Sequence, residues 1–351
     1  MQHKIVILAS INIDEVYRVP HVVRPGETIS STRLQRNAGG KGANASVAAA
    51  RAGARVCVVG KIGADGHWVR NVIAGAGADV DLVAVLDDTA TGRAVIQVDA
   101  AGENAIFLFP GANHKVELAD VQPALADCAA GDWLLLTNET TAVAEVISYA
   151  HRCGVQVLWN PAPMPADLVS SGMPVELVDV LVLNEAELRA LACQLDGLQS
   201  AEGNHADMAR HIMARFGTRV VIVTLGRAGS IGLVRRSSDN PHELTEGRTA
   251  ASADIAVVHM DCAPVAAEQV KDTTAAGDTW VGYFAAELVR LQSSSAESVG
   301  ALAALTPAMV ERAMQVATYA SGITVTREGA IASIPGRAEV DAFLRSQVLH
   351  K

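Results

Sequence analysis

A chain of 351 residues that is 50% hydrophobic, 4% aromatic and 19% charged can bury the core of one large α/β body. Its formal net charge of −10, with no run of Lys or Arg to offset it, excludes nucleic acid as a bulk partner. The five cysteines Cys57, Cys128, Cys153, Cys193 and Cys262 form no C-x-x-C pair, and the ten histidines show no metal spacing. A disulfide scaffold and a zinc domain are therefore set aside, and a reduced, cytoplasmic protein is expected.

The first element, the apolar run Ile5–Ala9, reads as a buried strand, too short for a signal-peptide core or a membrane span. No later run is long enough either, so no membrane partner is expected. Residues 15–36 alternate in polarity and are poor in helix signals. The stretch N-A-G-G-K-G-A-N at 37–44 then leads into the Ala-rich helical pattern Ala43–Ala52. It is not a Walker A loop, because Gly42 follows Lys41, and no buried strand precedes it as the dinucleotide fingerprint requires. Two readings stay open: a tight turn before a helix, or a loop whose Lys41 and Asn44 offer donors to a polyhydroxylated ligand.

Val56–Gly60 is the next strand. T-G-R-A-V-I-Q-V and A-I-F-L-F, within 92–110, flank the Gly-containing segment D-A-A-G-E-N, a hairpin signature. Segments 15–36 and 92–110 together predict a small β-layer inserted into the α/β body, serving as lid or dimer surface. Strands Trp133–Thr137, Gln156–Trp159, Leu177–Leu183 and Arg219–Thr224 follow. They alternate with helical patterns Ala142–Arg152, Glu185–Ala192 and Asp207–Phe216. Continuous apolar strands alternating with helices predict a mostly parallel, doubly wound sheet in one domain over 1–351, with ligands at the strands' carboxyl ends.

Asp14, Glu139 and Glu187 each follow a predicted strand and would converge on one crevice. Asn184 and Glu187 also fit a capping box, which needs no ligand. G-R-A-G-S-I-G at 226–232 follows a strand but leads into another, so it fits a turn over a nucleotide better than a dinucleotide fold. Residues 237–253 are polar and read as a surface loop. Finally, K-D-T-T-A-A-G-D-T-W at 271–280 strips the side chains from a loop and sets one acid, Asp278, at the mouth of a helix. Asp278 is either an N-cap or a general base beside an anion hole formed by bare backbone.

Taken together, G-G-K-G-A-N at 39–44 and D-T-T-A-A-G-D-T at 272–279 resemble the two signatures of the PfkB-type carbohydrate kinases, the family of ribokinases, fructokinases and adenosine kinases. S-I-N-I-D at 10–14, N-P-A-P at 160–163, N-E-A-E at 184–187, T-L-G-R-A-G at 224–229 and V-T-R-E-G-A at 325–330 extend the resemblance over nearly the whole chain, closest to the ribokinase branch. The resemblance implies a ribokinase-like fold and ATP-dependent phosphorylation of a sugar's primary hydroxyl. Asp278 would be the base, and the backbone of Ala275, Ala276 and Gly277 the anion hole. Asn12, Asp14, Gly40, Lys41, Asn44 and Glu139 match sugar-holding positions. Asn184, Thr224, Leu225, Gly226, Arg227, Ala228, Gly229, Gly277 and Thr318 match the ATP-binding ones.

Glu187 corresponds to the acid associated with Mg²⁺. Asp272, Thr274, Thr324, Arg327, Gly329 and Ser333 correspond to the site of an activating K⁺. The resemblance further implies D-ribose as substrate, and the inserted, partly apolar β-layer predicts a homodimer through the β-lid. Deoxyribose, fructose, 2-keto-3-deoxygluconate and nucleosides remain alternatives, as does a non-catalytic sugar- or nucleotide-binding regulator. Two positions depart from the family pattern: Tyr283, where a small residue is usual, and Thr318, where histidine is common near the adenine.

Overall fold

Aliphatic runs in this chain assemble into two sheets in a computed structural model that describes residues 3–195, 204–236, 255–294 and 305–348. The strands are β1 (Lys4–Leu8), β2 (Asn12–Arg18), β3 (Arg33–Gly39), β4 (Arg55–Gly63), β5 (Asp79–Leu86), β6 (Gly92–Val98) and β7 (Asn104–Phe109). They continue with β8 (Trp133–Leu136), β9 (Gln156–Trp159), β10 (Val180–Asn184), β11 (Val220–Thr224), β12 (Ser230–Arg235) and β13 (Ile255–Met260). The helices are α1 (Lys41–Arg51), α2 (His67–Gly75), α3 (Leu118–Ala126), α4 (Val143–Arg152), α5 (Glu185–Gln194), α6 (His205–Phe216), α7 (Ala276–Ser294), α8 (Pro307–Thr324) and α9 (Arg337–Val348).

Among the described residues the main sheet runs β13-β12-β11-β10-β9-β8-β1-β4-β5. It is parallel from β5 to β11, while β12 and β13 add an antiparallel edge. Both faces are covered, as the strand sequences demand. Ile5 and Ile7 of β1 join a core with α1, α2, α7 and α8, whereas Val6 and Leu8 join a second core with α3 to α6. Strands such as W-L-L-L and Q-V-L-W are buried at every position, which is why they carry no polar alternation.

The small sheet has the order β3-β2-β6-β7. β2 pairs in parallel with β6 from Asn12 opposite Gly92 to Arg18 opposite Val98, and β6–β7 is the expected hairpin. Three differences from expectation bear on the site or its neighbours, beyond shifts of one to three residues at other element ends. The strand expected at Leu177 starts at Val180, because Val175–Leu177 winds into a 3₁₀ turn. Helix α1 starts at Lys41 rather than Ala43, after Gly40 takes a φ of 97°. Asp14 does not follow the first strand directly but lies within β2, the second strand of the small sheet. The polar stretch 237–253 lies outside the described residues. No helix among the described residues is long and apolar enough to cross a membrane.

Candidate active site

The carboxyl edge of the parallel strands and the root of the small sheet enclose one cleft. After β1, Ser10 donates its hydroxyl to Glu139 Oε2 at 2.6 Å and accepts the Gly42 N–H at 3.1 Å. The Lys41 N–H also reaches Glu139 Oε2, at 3.2 Å. The loop after β8 and the start of α1 are thus laced together beneath Asp14. Glycines make this approach possible: a Cβ on Gly40 would lie 2.5 Å from the Ser10 carbonyl oxygen. Helix α1 then crosses α7 so closely that a Cβ on Gly282 would sit 2.4 Å from the Ala45 carbonyl oxygen. That crossing brings Asn44 Nδ2 to within 2.7 Å of Asp278 Oδ2.

Four carboxylates surround a single ammonium here. Burial, reinforced by the charges of Glu139 and Asp278, pushes the Asp14 carboxyl up to about 7. Burial also raises Glu139, against the hydrogen bond from Ser10 and the nearby charge of Lys41, and raises Glu187. The Asp278 carboxylate, with help from Glu139, Glu187 and Asp14, overcomes burial and holds the Lys41 ammonium above its ordinary range. The expected acids at strand ends therefore do converge, through the reach of Lys41.

Asp278 is not an N-cap. It lies in the first turn of α7, which begins at Ala276, after Ala275 takes a left-handed φ of 60°. First-turn N–H groups have no helical acceptor, and the helix dipole presents positive potential there. Gly277 beside it is exposed, and a Cβ on it would meet no protein atom within 4 Å. Nothing in the protein's own packing calls for a glycine at that position.

On the far side of Gly277 opens a cavity of about 370 Å³. Thr224, Gly226, Arg227, Gly229, Gly277 and Thr318, all expected at the nucleotide, line it; Asn184, Leu225 and Ala228 do not. Leu225 instead packs against the core, and Asn184 caps α5, bonding the Glu187 N–H at 2.8 Å while Glu187 Oε2 accepts the Asn184 N–H at 2.8 Å. Asn184-x-x-Glu187 is thus a capping box, and Glu187 also feels the charge of Lys41. The cavity's other walls escaped sequence reasoning. Cys262, Ala263, Val265 and Gly322 are small or apolar and spaced without a motif. Trp280 reads as ordinary helix core, yet its ring stacks on Phe284 at 4.9 Å and its indole N–H bonds Thr318 Oγ1 at 3.3 Å. Tyr283 is fully buried and donates to the Pro335 carbonyl at 2.8 Å, away from the α1 crossing that Gly282 serves.

Asp272 ties two loops together: Oδ1 accepts the Thr274 N–H and Oδ2 the Gly329 N–H, both at 2.9 Å. Burial opposes its ionisation, but these bonds hold its carboxyl below the usual range. Val325 O, one residue past Thr324, accepts the Lys271 N–H at 2.8 Å. Arg327 spends its side chain on Glu339 and its N–H on the Thr324 carbonyl at 3.0 Å, and Ser333 is buried with its hydroxyl on Ala330 O at 2.7 Å. A carboxylate with lone pairs to spare among backbone carbonyls is a donor set that suits a hard cation.

Residues 2–337 match the profile of the pfkB family carbohydrate kinases. The chain belongs to that family. It is 32% identical to the ribokinase of Haemophilus influenzae, across 98% of this chain and 99% of that protein. The crystal structure of the ribokinase of Cryptococcus neoformans in complex with ADP is 32% identical, with a TM-score of 0.73 over 97% of this chain and 99% of that one. The Arabidopsis thaliana ribokinase complexed with ribose and ATP is 26% identical, with a TM-score of 0.76 over 98% of this chain and 99% of that one. The pfkB kinase fold, a large, mostly parallel sheet with a separate small one, is the fold seen here.

Proposed function

We propose that this pfkB-family kinase uses ATP to phosphorylate the primary hydroxyl of D-ribose, giving ribose 5-phosphate and ADP. The observation that carries the reading is Asp278, one carboxylate in the first turn of α7, between a cleft of charged hydrogen-bonding groups and an apolar cavity. A binding protein has no use for a carboxylate there, because it would repel the phosphate that the bare helix start attracts.

The chemistry follows from the positions. Asp14, Lys41, Asn44 and Glu139 hold sugar hydroxyls, and Asn44 steadies Asp278 through its 2.7 Å bond. Asp278 takes the proton of the attacking hydroxyl while the new O–P bond forms and the bond from the γ-phosphorus to its bridging oxygen breaks, releasing ADP. The first-turn N–H groups of α7 and the Lys41 ammonium face the charge of the transferring phosphoryl group. Mg²⁺, when bound, neutralises the polyphosphate; Glu187 is the acid best suited to stand near it. Asp272, with backbone carbonyls of Thr274, Thr324, Arg327, Gly329 and Ser333, would hold K⁺ behind the anion-hole loop and keep its shape.

The small sheet supports a homodimer. Its edge strand β7 exposes Ile106 at 56% and Phe107 at 58%, and an uncovered apolar edge invites pairing with a second copy. Light scattering at micromolar concentrations should give a dimer mass, and a monomer throughout contradicts it. Five free cysteines are in keeping with a cytoplasmic home.

The kinase mechanism is tested by Asp278→Asn. Turnover should fall by about 10²–10⁴, the range for losing a general base, while calorimetric sugar affinity changes little. Wild-type turnover in this variant overturns the mechanism.

A further inference from the structure

Asn12 belongs to the sugar-holding set, and an amide can present either a donor or an acceptor. A second asparagine removes that freedom. Asn113, in the 3₁₀ turn Gly111–Lys115 that follows β7, is 1% exposed and was not singled out by its sequence context. Its Oδ1 accepts the Ile11 N–H at 2.9 Å, and its Nδ2 donates to Asn12 Oδ1 at 2.7 Å.

The polarity of this chain is forced from one end. A backbone N–H can only donate, so Asn113 must turn Oδ1 toward Ile11 and Nδ2 toward Asn12. Asn12 must then turn Oδ1 back to Asn113, which engages the acceptor and leaves Nδ2 as the amide group not yet engaged. Nδ2 of Asn12 is neither sealed from solvent nor engaged by a protein group among the described residues. Gly92 supplies an independent sign that the arrangement is built in. It pairs with Asn12 across β2–β6, and a Cβ on it would lie 2.2 Å from Asn113 Nδ2 and 2.3 Å from Asn12 Oδ1. The chain keeps its barest residue where any side chain would break the pair.

We infer that Asn113 is a positioning residue that makes Asn12 an obligate hydrogen-bond donor toward the sugar, and so sets which sugar hydroxyl the cleft demands; this rests on the sugar-kinase reading. Asp14, two residues on, is an acceptor when ionised. A hydroxyl between them donates to Asp14 and still offers lone pairs to Asn12. An analogue lacking that hydroxyl leaves both buried groups unpaired, the situation in which sites discriminate most strongly.

Asn113→Asp tests the assignment. The variant keeps an acceptor for Ile11 but replaces the donor with a second acceptor, so Asn12 must flip and show Oδ1 to the sugar. The KM for ribose should rise about 10–100-fold, the cost of one mispaired buried hydrogen bond, with the KM for ATP and kcat at saturating sugar within about threefold. Across the monodeoxyriboses, the one position that wild type penalises most should lose about tenfold or more of its penalty. Asn12→Asp, which leaves Asn113 intact and reverses the same polarity, should give the same rise in ribose KM and the same loss of deoxy penalty, and guards against a folding defect in the first variant. An active wild type whose ribose KM and deoxy penalties are indifferent to both substitutions overturns the role of Asn113. A wild type that turns over no sugar overturns the parent reading instead.

Discussion

Where β3 runs into α1, a Cβ on Gly39 would lie 2.0 Å from Asp14 Oδ2 and one on Gly42 2.3 Å from Ala9 Cα, whereas a Cβ on Gly277 at the start of α7 would touch nothing within 4 Å. The two glycine loops look alike in sequence and differ in what their bareness serves. The first lets the protein approach itself, bringing α1, β1 and β2 together so that charged side chains converge. The second leaves room for something that is not protein. The sides of the cleft differ accordingly. The side proposed for the sugar is made of buried carboxylates and amides, several of them tied by hydrogen bonds, around the Lys41 ammonium. The side proposed for the nucleotide is a mostly apolar slot lined by glycines and other small residues. On the proposed reading, the first reads hydroxyls one at a time and the second takes shape and phosphate charge.

Gly277→Ala is the sharpest way to break the comparison. Alanine suits a helix better than glycine by up to about 1 kcal/mol, so the thermal midpoint should hold or rise. Its methyl group would occupy the phosphate's approach, and kcat should fall by about 10²-fold, the scale of a lost anion-hole contact. An unchanged kcat would mean that the space before α7 holds no transferring group. Gly42→Ala should do the reverse in kind: its Cβ meets backbone that cannot yield, so stability should drop by about 1–3 kcal/mol in denaturant titration. A variant as stable as wild type would show that the first loop is not packed as described.

The charged side should also show itself in pH dependence. Asp14 titrates in the folded protein at about 7, above its ordinary 3.8, so the folded state binds that proton more tightly than the unfolded one. Its contribution to stability is therefore fully present below about pH 4 and is lost as pH rises through 7. Asp14→Asn should flatten the stability profile in that window. Catalysis needs the ionised, accepting form, so kcat/KM for sugar should fall about tenfold per pH unit below 7. The neighbouring charges that face Asp14 are Glu139, Asp278 and Lys41, and Lys41 stays protonated throughout because Asp278 holds it there. A flat profile from pH 5 to 7 contradicts this. The smallest expected effect is a severalfold loss of rate when K⁺ is replaced by tetramethylammonium, since Asp272 shapes the loop from behind without touching the reaction. An unchanged rate removes the cation from the account.

The body of this fold was legible because its strands are buried on both faces. Runs such as Val56–Gly60 and Gln156–Trp159 announce themselves without alternation, and the helices between them carry their own periods. The small sheet was legible from its two polar-alternating, helix-poor segments. Asp278 was visible as an acid after four small residues, though not its place inside the helix, since a strained Ala275 rather than the acid starts the turn. What stayed hidden depends on contacts between distant segments. Ser10, Asn113 and Gly282 act through partners between about 30 and more than 200 positions away, and no local pattern records them. The apolar walls at Ala263 and Val265 carry no motif because they need only be small and apolar.

The most direct test of the whole account is coupled ADP release by the wild-type protein with ribose, 2-deoxyribose, fructose, 2-keto-3-deoxygluconate and adenosine. Sugar should raise ADP release far above the sugar-free rate, with ribose giving the highest kcat/KM of the five. Another sugar in first place would overturn the ribose assignment and keep the kinase; ADP release that no sugar raises above background would contradict the account at its centre.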